Sequence, residues 1–157
     1  MRPTTAATAE IDLLRDVLAR DGTARVCEAG ASMAPLLRPD DALLLAPLDP
    51  ARVRRGMIVG VASEGRLVVH RLVAIGPDRF VARGDALPGP DAPVPRDALV
   101  GRVVGLRTPD GRALDFTRAP WPLAERMLGA LAARARARGP VWLALRAACR
   151  ALARLAR

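Results

Sequence analysis

The 157-residue chain contains no lysine, no asparagine, no glutamine and no tyrosine, and it has one histidine and two cysteines. Without lysine there is neither an amine general base nor a Schiff-base nucleophile. Without asparagine there is no N-glycosylation acceptor. Cys27 and Cys149 lie far apart and suggest no disulfide framework, and with a single histidine they make no zinc ligand set. A reduced setting is therefore the default expectation. Aromatic residues are 3% of the chain, too few for a base-stacking surface. No stretch of ~18 uncharged apolar residues occurs, so a conventional membrane span is not expected. Residues 1–21 carry Arg2, Glu10, Asp12, Arg15, Asp16 and Arg20, which excludes a secretory apolar region there. The expected location is cytoplasmic, or peripheral on a membrane.

What is present is a globular composition, 51% hydrophobic and 26% charged, enough for one domain with a modest core. All 25 cations are arginine, against 16 acids, for a net charge of +9. The excess is confined to one end. Residues 118–157 hold nine arginines and one acid, Glu125, while residues 1–117 hold 16 arginines and 15 acids.

Hydrophobic spacing divides the chain into three parts. Residues 1–22 read as an amphipathic helix capped by Thr8, with Ile11, Leu14, Val17 and Leu18 on one face and Gly22 as its stop. Residues 23–117 read as short strands at 24–28, 42–46, 57–62, 67–75, 79–83, 99–107 and 112–116. Turn chemistry separates them at Ser63-Glu64-Gly65, Gly76-Pro77-Asp78 and Pro109-Asp110-Gly111. Residues 87–95, with four prolines, read as an irregular loop. Seven short strands at this spacing predict a mainly β domain, a small antiparallel barrel or folded sheet. Residues 118–157 read as an arginine-rich tail of two amphipathic helices broken at Gly139-Pro140. Leu123, Met127, Leu128 and Leu131 share a face of the first, and Val141, Leu145, Ala148, Leu152 and Leu155 form a stripe on the second.

Three features in this order carry possible chemistry. Ser32 sits in Gly30-Ala31-Ser32-Met33-Ala34-Pro35, a tight turn after a strand. His70 lies within the apolar strand Val68-Val69-His70-Arg71-Leu72-Val73, and Asp85 and Asp91 follow in Gly- and Pro-rich surroundings. Taken singly, each has an ordinary structural explanation: a turn serine, a satisfied core histidine, two turn-forming aspartates. Taken together they form a constellation. A serine hydroxyl needs a base to act at neutral pH. Histidine, with a reference pKa of ~6.5, is the one side chain of this chain suited to be that base. A histidine base in turn works best with a carboxylate fixing its tautomer, and either Asp85 or Asp91 could supply it.

These boxes, Ser32-Met33-Ala34-Pro35, His70-Arg71-Leu72-Val73, Arg83-Gly84-Asp85-Ala86 with Asp91, and Val100-Gly101-Arg102-Val103-Val104, resemble the successive boxes of signal peptidases and their repressor-protease relatives over residues 23–107. With histidine where bacterial leader peptidases have lysine, the chain is similar to the endoplasmic-reticulum and archaeal branch. The resemblance implies Ser32 as nucleophile, His70 as general base, Asp91 as the third member, Asp85 as a supporting carboxylate, and the Ser32 amide as an oxyanion donor. It implies no cofactor and no metal. The implied substrate is an extended peptide or protein, bound by strand addition with small residues near the cut. Two positions depart from the family pattern: Asp40-Asp41 replaces a Gly-Asp after the serine box, and Gly56-Met57 replaces a second one.

A serine endopeptidase is thus the leading expectation. A self-cleaving repressor is disfavoured, because the 31 residues before Ser32 hold one helix, too few for a helix-turn-helix DNA-binding domain. A degenerate peptidase fold acting as a binding module is the non-enzymatic alternative. For residues 118–157, an anionic membrane surface and a helical cover over the β domain are equal expectations. Nucleic acid is the weaker third, with only Trp121 and Trp142 in the region.

Overall fold

The computed structural model describes residues 5–27, 30–135 and 139–155. Glu28, expected to end the first strand, and Arg136, Arg138 and Arg157 of the basic tail lie outside the described residues, as does the side chain of Leu155. The architecture is an antiparallel half-barrel sheet with one helix before it and two after it.

Helix α1 (Thr5–Asp21) begins before Thr8, which lies within the helix and is not its cap. Alanines at positions 6 and 7 extend the helix upstream, since alanine has the smallest cost of helix formation. Its end is as expected: Gly22 adopts φ 72° and returns its amide to the Leu18 carbonyl. Ile11 and Leu18 are buried against the sheet with Leu14 and Val17 beside them.

Eight strands follow: β1 (Ala24–Cys27), β2 (Ala42–Ala46), β3 (Ile58–Ser63), β4 (Arg66–Ile75), β5 (Arg79–Arg83), β6 (Val94–Pro95), β7 (Leu99–Arg107) and β8 (Ala113–Asp115). Their order across the sheet is β1-β2-β7-β3-β4-β5-β6, with β8 pairing the second half of β7. Register shifts at Leu44/Leu45, Gly60/Val61 and Leu72/Ala74 bend the strands and curl the sheet. The β3–β4 turn has Glu64 and Gly65 at φ 51° and 78°, the left-handed pair a two-residue hairpin requires. The region expected to be an irregular loop contains the short strand β6. Val94 pairs Phe80 across the sheet edge, where a following proline loses no ladder hydrogen bond.

Helices α2 (Trp121–Arg134) and α3 (Pro140–Leu155) pack on the β4–β5 side of the sheet. Leu128, Ala132, Leu145 and Cys149 form one core with Val73. The apolar stripe of α3, Leu145 with Leu152, is therefore occupied by packing on the β domain. On α2 the buried line runs through Glu125, Leu128, Gly129 and Ala132, whereas Leu123 and Met127 are exposed, 62% and 61%. This corrects the expected face. The cause is a backbone-to-backbone crossing: a Cβ on Gly129 would lie 2.4 Å from the Gly56 Cα, and one on Gly56 would lie 2.0 Å from the Glu125 carbonyl oxygen. The helix turns its glycine line inward, and Leu123 and Met127 consequently point out. Among the described residues no helix is long and apolar enough to cross a membrane.

Candidate active site

Ser32 lies in the turn between β1 and β2, and the turn is held from three sides. Met33, Leu36 and Leu37 are buried in the main core, and the Ser32 carbonyl accepts the Ala86 amide at 2.8 Å. The Arg146 guanidinium of α3 donates to the Ala34 carbonyl at 2.6 Å. The side chain of Ser32 is thus placed by backbone bonds on both flanks, while Ser32 itself is half-buried.

His70 stands in the middle of β4, opposite Val59 of β3, with its side chain 7% exposed. Its Nε2 is 3.0 Å from the Ser32 Oγ and its Nδ1 is 2.6 Å from Asp91 Oδ2. With Nδ1–H donating to Asp91, Nε2 is the free base that accepts from the serine hydroxyl. Asp91 comes from the loop after β5, and its amide bonds the Ala82 carbonyl at 2.9 Å. The structure therefore brings Ser32, His70 and Asp91 into one line.

Asp85 is placed elsewhere. Successive side chains of a strand point to opposite faces, so Arg71 turns away from His70, toward α3. There it forms a fully buried two-pronged pair with Asp85 at 2.8 and 2.5 Å, and donates to the Gly56 carbonyl at 2.9 Å. Burial works against the Arg71 cation, but the adjacent Asp85 carboxylate outweighs it and holds the pKa above the ordinary value. The Cys149 thiol donates to the same carboxylate, and burial, with Asp85 alongside, pushes its pKa up to about 12. Asp85 acts on the site through structure: it neutralises the cation next in sequence to His70 and anchors the start of the Asp91 loop. Asp85→Ala is expected to cost about 3–5 kcal/mol, the penalty of leaving a buried charge unpaired, measured by urea unfolding. A loss below about 1 kcal/mol would refute that role.

Sequence reasoning passed over three contributors. Gly84 admits the closest approach in the site: a Cβ there would lie 2.8 Å from the Ser32 carbonyl oxygen and 3.0 Å from His70 Nε2. Arg83 donates to the carbonyls of Ala132 and Ala135, closing the C-terminus of α2 onto β5. Arg146 is the tail's tether to the serine turn. The signal for Gly84 was in plain view beside Asp85, whereas no local pattern marks Arg83 or Arg146. The two positions that depart from the resembled pattern also gain an explanation. Asp40 adopts φ 74°, which aspartate tolerates better than most residues. Met57 is buried in a small apolar cluster.

A groove of about 910 Å³ includes Ser32 in its lining. Its walls are α1, through Ile11, Leu14 and Val17, the strand β1, and Leu67–Val69 of β4. Among the described residues the outer edge of β1 pairs no strand, and β5 meets β4 only from Arg71 onward. Two strand edges with unpaired backbone groups therefore border the groove. Both cysteines are free, Cys27 exposed in this groove and Cys149 buried. Among the described residues no cluster of side chains could hold a metal ion. Compared with known proteins, the chain matches no family model, no curated protein and no solved structure.

Proposed function

We propose that the protein is a serine endopeptidase in which Ser32 is the nucleophile, His70 the general base and Asp91 the orienting carboxylate. The observation that carries this reading is the continuous chain Ser32 Oγ–His70 Nε2, 3.0 Å, and His70 Nδ1–Asp91, 2.6 Å. In the first step Ser32 Oγ attacks the scissile carbonyl carbon as its proton passes to His70 Nε2. Asp91 stabilises the resulting imidazolium. The oxyanion is assigned to the Ser32 amide, the donor nearest the forming bond. Collapse breaks the C–N bond, and His70 returns the proton to the leaving amine. Water, deprotonated by His70, then releases the acyl group and restores Ser32.

A peptide suits the groove better than a small ester. An extended backbone can hydrogen-bond to the free edges of β1 and β4 while its side chains meet the apolar walls. The direct test is covalent labelling with a fluorophosphonate. Ser32 is expected to be the modified residue, with labelling lost in Ser32→Ala; a folded wild-type chain that resists labelling would favour the binding-module alternative. Asp91→Asn is expected to lower turnover by up to about 10⁴-fold. Asp97→Asn, at an exposed residue of a short turn, should leave it unchanged. Equal small effects at the two positions would reduce the site to a Ser–His pair.

A further inference from the structure

The layer formed by α2 and α3 has an outer face that neither the core nor the candidate site uses. On α2 it presents Leu123, Arg126, Met127 and Arg134, at spacings of three, four and eleven from the first. On α3 it presents Leu143, Arg150 and Arg154, at spacings of seven and eleven. These are single-face helical spacings, and all seven side chains are exposed. The lone acid of the region, Glu125, is buried and held by Arg102 at 2.8 Å, so the face carries no carboxylate among the described residues.

Elsewhere arginines 15, 20, 52, 112 and 118 each have an aspartate within ion-pair distance, while others, such as Arg25, Arg55, Arg66 and Arg107, are exposed without one among the described residues. The helical face differs in combining such arginines with exposed apolar side chains. Among the described residues, none of the four arginines of the helical face has an ion-pair partner. Three of the five large hydrophobic side chains exposed among the described residues, Leu123, Met127 and Leu143, lie among them.

We propose that this face docks the protein onto an anionic lipid surface. Guanidinium groups without a carboxylate partner match phosphate and carboxylate headgroups, and arginine stems reach past the apolar side chains toward charge. Leu123, Met127 and Leu143 then enter the boundary below the headgroups. Insertion is shallow because the deeper apolar stripe, Leu145 with Cys149, is already turned into the protein. Binding is therefore dominated by charge. A nucleic acid fits less well: Trp121 packs edge-to-face on Phe116 and Trp142 lies under Arg146, which leaves no ring free to stack on bases. The proposal is independent of the peptidase reading.

The test is co-sedimentation of the full chain with vesicles of phosphatidylcholine, with and without phosphatidylserine. Binding is expected only when phosphatidylserine is present. It should fall steeply between about 0.1 and 1 M salt, as the screening length shrinks from about 10 to 3 Å. Each of Arg126→Ser, Arg134→Ser, Arg150→Ser and Arg154→Ser should weaken binding about fivefold. Leu123→Ser with Met127→Ser should weaken it without changing the salt slope. All these positions are exposed, and unchanged thermal unfolding of each variant confirms that the fold is kept. Equal binding to neutral vesicles, full retention by the fourfold serine variant, or binding to duplex DNA with none to phosphatidylserine would each overturn the proposal.

Discussion

His70→Ala is expected to abolish peptide hydrolysis, lowering turnover by about 10⁶-fold, the loss that follows removal of the base from a Ser–His pair. The size of the effect follows from the composition. In a chain without lysine, the one basic nitrogen within reach of Ser32 Oγ among the described residues is His70 Nε2 at 3.0 Å. Asp91 bonds the far side of the imidazole and cannot replace it. The fold should survive, because the carboxylate released from His70 is one-third exposed and is rehydrated at little cost. Hydrolysis of a peptide library, with circular dichroism as the fold control, makes the measurement. A variant that kept a tenth of wild-type turnover would remove His70 from the mechanism.

Truncation after Thr117 is expected to unfold the protein. The two helices were equally readable as a membrane-binding appendage, on which view the β domain would stand alone. Their packing argues otherwise. Leu128 and Leu145, 2% and 0% exposed, close the face of the sheet that includes Val73, and losing either kind of contact costs about 2–5 kcal/mol. The cut also strips cover from the Arg71–Asp85 pair, removes the Ala132 and Ala135 carbonyl acceptors of Arg83 and frees the serine turn from Arg146. Against a typical margin of about 5–15 kcal/mol, these losses are decisive. Urea titration of residues 1–117 should show no cooperative transition. A cooperative transition with retained fluorophosphonate reactivity would establish the helices as dispensable.

The strands were legible because apolar runs punctuated by Gly, Pro and Asp encode them locally, and the Glu64-Gly65 turn stands where its sequence places it. The pairing of Ser32 with His70 was legible because the chain offers so few alternatives. Other features carried no local signal. Asp85 and Asp91 both follow β5 and look alike by residue type, and only the peptidase resemblance singled out Asp91. Only pairing register decides that Asp91 reaches the His70 side while Asp85 meets Arg71 on the opposite face. The outward turn of Leu123 and Met127 was hidden for a similar reason, since it depends on Gly129 crossing Gly56, 73 positions away in the chain. By itself the sequence determined the antiparallel β class, the positions of the helices and the candidacy of Ser32 and His70, because these follow from residue type and short-range periodicity. The tertiary structure decided how Asp85 and Asp91 are divided between Arg71 and His70, which helix faces are buried and which arginines have no ion-pair partner, because those depend on contacts between segments distant in the chain.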